Sequence, residues 1–172
     1  MLTPLPEMQQ FRKTRMKKAA IRTNSEDETK RLGEAIGHSL VPGDIVALTG
    51  DLGSGKTCLT KGLAKSLGVS DRYEITSPTF TIVNEYPARG MNLWHVDAYR
   101  LESAGDILDA GFEDFLGYRG VVVIEWAEKI MAVLPPDALV VSFEYIDDTT
   151  RMVSMKGNKE TINRIVDTYS HQ

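Results

Sequence analysis

Cysteine is nearly missing from the sequence: Cys58 is the single thiol among 172 residues. One thiol cannot form a disulfide within the chain and cannot build a zinc site of several cysteines. The sequence also has no run of about 18 apolar residues, the length that a membrane-spanning helix requires, and its first residues lack the apolar segment of a secretory signal. We therefore expect a cytoplasmic protein in a reducing setting, with no membrane partner.

Net charge is spread unevenly along the sequence. The chain has a net charge of −4, although residues 1–20 contain more basic than acidic side chains, so the remainder is more acidic than the total indicates. An acidic body is a poor partner for a phosphate backbone. We therefore expect tRNA or other RNA to be reached only indirectly, through another protein, and we predict that the basic leader, residues 1–20, is disordered.

The rest of the chain has the composition of one globular domain, with 42% apolar and 26% charged residues in the whole sequence. Ser25 and Glu28 form a capping box before a helix that reaches Leu40. Further helices are predicted near residues 56–67 and 103–117, and strands at residues 45–48, 80–86, 91–99, 121–124, 138–145 and 150–156. We predict an α/β domain over residues 21–157, followed by a C-terminal helix or tail over residues 158–172.

A complete phosphate-loop motif, G-x-x-x-x-G-K-[S/T], runs from Gly50 to Thr57 between a predicted strand and a predicted helix. Glycines allow backbone N–H groups to surround a phosphate, and the helix N-terminus adds partial positive charge. Lys56 is expected to neutralise the β- and γ-phosphates, and the Thr57 hydroxyl to ligate magnesium. The sequence therefore predicts that the protein binds ATP with Mg²⁺.

Cys58 is placed in the same predicted site, in the first turn of the helix, where the helix dipole and Lys56 are expected to favour a reactive thiolate. The alternative is a thiol buried in the core. The predicted nucleotide-binding residues are Asp51, Leu52, Gly53, Ser54, Gly55, Lys56, Thr57, Cys58 and Trp126.

Two acidic residues follow predicted strands and are candidate catalytic groups beside Lys56. Glu125 ends a continuously apolar run, where parallel sheets bind ligands, and is the preferred magnesium ligand beside Thr57. Asp97 ends a hairpin strand, where an acid that only faces solvent is about as expected as one that takes part in a site. His95 alone makes no zinc site and is interpreted as a packed or surface residue. Trp126 either stacks on the base or packs in the core.

Four blocks of the sequence resemble the TsaE (YjeE) family, bacterial ATPases needed to make threonylcarbamoyladenosine in tRNA. The blocks are Gly50–Thr57, Ser77–Phe80, His95–Arg100 and Glu125–Trp126, and the likeness covers about residues 21–155. The resemblance implies a P-loop NTPase core whose partly parallel central sheet is flanked by antiparallel strands and helices. It also implies TsaD- and TsaB-like partners, and an ATP hydrolysis, weak alone and stimulated by those partners, that powers or resets the complex.

The same resemblance implies roles for single residues. The segment Ser77–Thr79 resembles a mobile switch loop with Asp97 as its partner, Glu125 resembles a Walker B acid, and Trp126 matches a tryptophan beside the nucleotide. The sequence departs from the family pattern at Ser54, Cys58 and Ala127, none of which is an expected catalytic group. A nucleotide-dependent binding switch and a small-molecule kinase remain alternative functions. A D-x-x-G match at 114–117 is interpreted as chance.

Overall fold

The computed structural model describes residues 15–109, 111 and 119–172, and the D-x-x-G match at 114–117 lies outside them. The strands are β1 (Met16–Thr23), β2 (Ile45–Thr49), β3 (Val83–Ala88), β4 (Met91–Asp97), β5 (Gly120–Glu125), β6 (Leu139–Tyr145) and β7 (Arg151–Asn158). The helices are α1 (Glu26–Ser39), α2 (Lys56–Ser66), α3 (Ala104–Asp109) and α4 (Lys159–Ser170), with short 3₁₀ turns at Ala127–Lys129 and Met131–Val133. None of these helices is long and apolar enough to cross a membrane.

All seven strands form one sheet in the order β1-β7-β6-β2-β5-β4-β3. The four strands β6, β2, β5 and β4 run parallel, and β1, β7 and β3 pair antiparallel with their neighbours. This confirms the predicted α/β fold with a partly parallel sheet. Strands β2 and β5 lie inside the sheet and are apolar up to their last residues, Thr49 and Glu125, because both of their faces are covered. The carboxyl ends of β2, β4 and β5 therefore meet at one edge, where such sheets bind ligands.

The start of α1 shows how local sequence sets a helix boundary. The Ser25 hydroxyl accepts a hydrogen bond from the Glu28 amide at 3.1 Å, as the capping box predicts. The Glu28 carboxylate reaches back to the amide of Asn24 at 2.7 Å, one residue earlier than the motif implies. That hydrogen bond lowers the pKa of Glu28, because it favours the charged carboxylate.

Helices α1 and α2 pack against one face of the sheet with almost no space between their backbones. A Cβ atom on Gly62 would lie 1.9 Å from the carbonyl oxygen of Lys30, and one on Gly33 would lie 2.1 Å from that of Leu59. Both distances are far below contact distance, so only glycine fits at these positions. Because α2 begins at Lys56, the packing of α1 also fixes the helix that carries the end of the phosphate loop.

We expect Gly62→Ala to destabilise the protein by about 3 kcal/mol, because the added methyl group must push the two helix backbones apart. Urea unfolding followed by circular dichroism measures this change. Gly105→Ala is the matched control, because its Cβ would meet nothing nearer than the Ser103 hydroxyl at 3.4 Å and should be neutral or stabilising in a helix. Equal stability of the Gly62→Ala protein and the wild type would show that this close approach is not required.

The predicted boundary of the basic leader is wrong in its last five residues. Residues 16–20 belong to β1, which pairs with β7 along its whole length, and Ala19 and Ile21 pack against the core. The reason is tertiary: β1 is an edge strand whose hydrogen-bonding partner lies more than 120 residues away in the sequence, and its own residues are too basic to stand out as a strand. The segment before residue 15 lies outside the described residues, so its predicted disorder stays a prediction.

One strand boundary differs from the sequence prediction, and the C-terminal segment takes the helical of its two predicted forms. The strand expected from residue 80 begins at Val83, because Ile82 has a φ of 67° and turns the chain before the hairpin. The C-terminal segment forms a full helix, α4, in which Ile162 and Ile165 are completely buried. Of the helix predicted at 103–117, the structure describes the part from Ala104 to Asp109, which is α3.

Candidate functional site

A cleft of about 450 Å³ lies at the carboxyl edge of the sheet, above the N-terminus of α2. This volume is within the range of small-molecule sites. The residues that line it come from the start of α1, the loop before α2 and its first turn, the segment after residue 76, and the ends of β4 and β5: Glu26, Leu52, Gly53, Ser54, Gly55, Lys56, Thr57, Cys58, Ser77, Thr79, Asp97, Tyr99, Glu125 and Trp126. Of the predicted site residues only Asp51 is not in the lining, and the binding of ATP by the others stays a prediction.

Glycines give the phosphate loop its shape. Gly50, Gly53 and Gly55 have φ values of 135°, 73° and 113°, in the left-handed region that side chains disfavour. Gly55 is the N-cap of α2 and offers no side-chain hydrogen bond to the first turn. The helix therefore begins at the cleft with uncapped amide groups and a partial positive charge, which is the arrangement that binds phosphate.

The hairpin β6–β7 holds the outer side of the phosphate loop. The Tyr145 hydroxyl donates to the carbonyl oxygen of Gly53 at 2.7 Å, and Arg151 Nε donates to that of Ser54 at 3.1 Å. The Arg151 guanidinium also lies 4.0 Å from the centre of the Tyr145 ring. Sequence reasoning missed both residues, because no local pattern links a loop to side chains more than 90 residues away.

Lys56 lies at the base of the loop and is almost fully buried. Its ammonium donates to the carbonyl oxygens of Gly50 at 2.6 Å and Asp51 at 2.8 Å, and it lies 4.1 Å from the centre of the Trp126 ring. Burial lowers the pKa of Lys56, and the nearby carboxylate of Glu125 partly opposes that shift. A phosphate at the loop would compete with these carbonyl groups for the ammonium.

Thr57 and Glu125 meet at the other side of the helix terminus. The Thr57 hydroxyl donates to both carboxylate oxygens of Glu125, at 2.8 and 3.0 Å. Oε1 of Glu125 is also 2.8 Å from Nε2 of His95, which is completely buried. The interpretation of His95 as a packed residue is correct about its burial, but sequence analysis missed its contact with the carboxylate. The spacing His95-x-Asp97 could have indicated that His95 lies on the same face of the strand as the candidate acid Asp97, because alternate residues of a strand share a face.

Asp97 lies beside Glu125, since the two residues are register partners on β4 and β5. Its carboxylate accepts hydrogen bonds from the hydroxyls of Ser77 and Thr79, the latter at 3.1 Å, and from the amide of Tyr99 at 2.8 Å. Asp97 is thus buried and bonded rather than solvated at the end of its strand. The structure brings the segment resembling a switch loop onto this carboxylate.

Trp126 forms part of the cleft wall. Its backbone has φ 57° and ψ 36°, a left-handed conformation that is strained for a large side chain. The Trp126 ring lies 5.0 Å from the Tyr99 ring and is half-buried. The ring therefore faces Lys56 and the cleft, rather than being enclosed in the core.

Cys58 lines the cleft, but the expected lowering of its pKa is wrong. Burial raises the pKa of the thiol, and the nearby Glu26 carboxylate adds to this effect. The thiol also donates to the backbone carbonyl oxygen of Glu26 at 3.3 Å, a bond that favours its protonated form. Desolvation therefore outweighs the positive charge of Lys30 and Lys61 nearby, and burial, the alternative that the sequence left open, decides the direction of the shift.

We expect Cys58 to be alkylated more slowly in the folded protein than in the urea-unfolded chain at the same pH, because less thiolate is present. The rate in the folded protein should rise with pH as the thiol ionises. Magnesium-ATP should slow the reaction further by covering the cleft. Mass spectrometry of iodoacetamide labelling measures all three effects, with Cys58→Ser as the blank. Identical rates with and without magnesium-ATP would place the nucleotide away from Cys58.

Comparison with known proteins gives a consistent set of relatives. A family model described as "Threonylcarbamoyl adenosine biosynthesis protein TsaE" matches residues 23–153. The "tRNA threonylcarbamoyladenosine biosynthesis protein TsaE" of Treponema pallidum is 40% identical over 133 residues, which are 77% of this chain and 96% of that protein. The Bacillus subtilis protein of the same name is 37% identical over 139 residues, 81% of this chain and 85% of that protein. A crystal structure of Bacillus subtilis YdiB matches with a TM-score of 0.73 and 29% identity, over 91% of this chain and 97% of that one.

Proposed function

The chain belongs to the TsaE family of tRNA threonylcarbamoyladenosine biosynthesis proteins, and from this premise we propose that it is a P-loop ATPase that binds Mg-ATP. The observation that carries the proposal is the contact between Thr57 and Glu125 at the N-terminus of α2. A hydroxyl that donates to a carboxylate keeps its oxygen lone pairs free, so the two groups together offer hard oxygen ligands. These are the ligands that Mg²⁺ prefers.

The cleft supports ATP as the nucleotide through three features of the chain. The uncapped amides of α2 and the ammonium of Lys56 provide positive charge for the β- and γ-phosphates. The bound Mg²⁺ would neutralise developing charge on those phosphates. The half-buried ring of Trp126 offers an apolar surface beside them.

Asp97 would act with the segment Ser77–Thr79. Its carboxylate is held by two hydroxyls and one amide, so its position depends on where that segment lies. Among the described residues that line the cleft, Asp97 and Glu125 are the buried carboxylates, and each already accepts three hydrogen bonds. The proposal therefore includes slow hydrolysis by the isolated protein, because both buried carboxylates are held by donors of the protein rather than left to orient water.

Slow hydrolysis by the isolated protein leaves a role for partner proteins that speed up turnover. We propose that TsaD- and TsaB-like proteins bind this protein and that tRNA is reached only through them. Leu52 in the phosphate loop and Phe80 beside the Ser77–Thr79 segment are each 82% exposed. Apolar side chains so exposed next to a nucleotide cleft suit contact with another protein.

We expect ATP hydrolysis by the isolated protein to be slow and to rise at least about tenfold when a TsaD–TsaB-like pair is added, because a partner that orders the segment around Ser77 completes the site. Steady-state phosphate release with and without the pair measures this. Bovine serum albumin at equal mass controls for surface loss of the enzyme. Full activity of the protein alone, unchanged by the pair, would contradict a partner-gated ATPase.

The second candidate function is a nucleotide-dependent binding switch with incidental hydrolysis. It is favoured by the hydrogen bonds from Ser77 and Thr79 to Asp97. These bonds would let the segment change position when a nucleotide binds, without any hydrolysis. A variant that binds ATP but does not hydrolyse it separates the two. Repeated rounds of tRNA modification with that variant would favour the switch, and a single round would favour the ATPase.

A further inference from the structure

His95 is a completely buried histidine to which the proposed chemistry assigns no role. It lies on β4 two residues before Asp97, and its register partner on β5 is Val123, two residues before Glu125. Alternate residues of a strand share one face of the sheet. The side chains of His95 and Glu125 therefore project from the same face of neighbouring strands, beside the N-terminus of α2.

The contact between these two side chains has a defined direction. Nε2 of His95 is 2.8 Å from Oε1 of Glu125, and an ionised carboxylate can only accept hydrogen bonds. Nε2 therefore carries the hydrogen and donates it. The other ring nitrogen, Nδ1, has no hydrogen-bond partner in the part of the chain that the structure describes. Within the described residues, the hydrogen bond of the His95 imidazole is therefore the one to Glu125.

Glu125 is held from two sides. Thr57 donates to both carboxylate oxygens, and His95 donates to Oε1. The Glu125 side chain is only 4% exposed, so little water reaches it to replace a lost donor. Hydrogen bonds to a buried charge are stronger than neutral ones, and two such donors restrict rotation of the carboxylate.

We propose that His95 is a positioning residue, which orients Glu125 so that Glu125 and Thr57 together present their oxygens to Mg²⁺. The inference rests on the proposed function, because it concerns the same metal. Partners that orient a metal-binding carboxylate typically change metal affinity by about 10- to 100-fold when they are removed. A histidine that only fills space in the core would leave the magnesium requirement unchanged when an apolar side chain replaces it.

The test is the concentration of Mg²⁺ that gives half-maximal ATP binding, measured by calorimetry. We expect His95→Leu to raise it by about 10- to 100-fold. His95→Gln should stay close to the wild type, because its amide nitrogen can take the position of Nε2. His38→Gln is the control, since His38 is an exposed histidine at the end of α1. If His95→Leu does not fold, His95→Asn replaces it, because its shorter amide cannot reach the Glu125 carboxylate.

A double-mutant cycle tests whether His95 acts through Glu125. In a Glu125→Gln background the His95→Leu change should cause little further loss of Mg²⁺ affinity, because the carboxylate that His95 orients is gone. An undiminished effect there, or an unchanged Mg²⁺ requirement in the apolar or asparagine variant, would overturn the inference and leave the proposed function intact. A wild-type protein that binds no Mg-ATP would overturn the proposed function and this inference together.

Discussion

Lys56→Ala is expected to weaken Mg-ATP binding by about 100-fold or more, because it removes the charged donor that would face the phosphates in the proposed site. Calorimetry with Mg-ATP measures the affinity. Lys61→Ala is the matched control, since it removes an exposed lysine from the same helix. Unchanged affinity of the Lys56→Ala protein would contradict the assignment of the phosphate loop.

The stability of the Lys56→Ala protein without nucleotide separates a lost ligand group from a damaged fold. Burial lowers the pKa of Lys56 in the folded protein, so the charged form is disfavoured by folding at neutral pH. This penalty is fully present below the folded-state pKa and disappears as pH rises towards the unfolded-state value. Loss of the hydrogen bonds to the carbonyl oxygens of Gly50 and Asp51 acts in the opposite direction, so the variant should stay folded, with a melting temperature close to that of the wild type.

Glu125→Gln is expected to reduce ATP hydrolysis by about 100-fold or more while nucleotide still binds, because the amide keeps the shape of the side chain and removes the charge beside the metal. Asp97→Asn should have a smaller effect if Glu125 is the principal acid. Steady-state phosphate release gives both rates, and calorimetry shows that ATP is bound.

Glu128→Gln is the control for these two variants, because Glu128 is an exposed acid three residues after Glu125. It changes the charge near the site without touching the Thr57 hydroxyl. A larger loss in Asp97→Asn than in Glu125→Gln would reverse the ranking of the two acids. Asp97 holds Ser77 and Thr79. That result would therefore mean that the position of this segment, more than the charge of Glu125, limits the rate of ATP hydrolysis.

The sequence alone predicted the parts of the protein that depend on neighbouring residues. The phosphate loop is a contiguous motif, so its glycines, Lys56 and Thr57 were recognised together with the helix that follows. The buried strands β2 and β5 were visible as apolar runs, because strands covered on both faces need no polar positions. Their ends pointed to Glu125 as a candidate, and the capping box located the start of α1.

Tertiary structure decided whatever depends on residues that are distant in the chain. The pairing of β1 with β7 is set by hydrogen bonds across the sheet, and for that reason the sequence alone places the first five residues of this strand in a disordered leader. The contact of His95 with Glu125 and the bonds from Arg151 and Tyr145 to the phosphate loop join separate segments. Neighbouring residues do not predict these contacts, and the spacing His95-x-Asp97 indicates only that the two side chains share a face of one strand.

The pKa of Cys58 shows the same division within one side chain. Its place in the sequence indicates a helix dipole and a neighbouring lysine, which favour a thiolate. Folding adds burial and the carboxylate of Glu26, which favour the protonated thiol and prevail. The sequence by itself determined which groups stand next to one another along the chain. The tertiary structure decided which of those groups are removed from water and which distant groups they contact, because desolvation and contact geometry exist only in the folded protein.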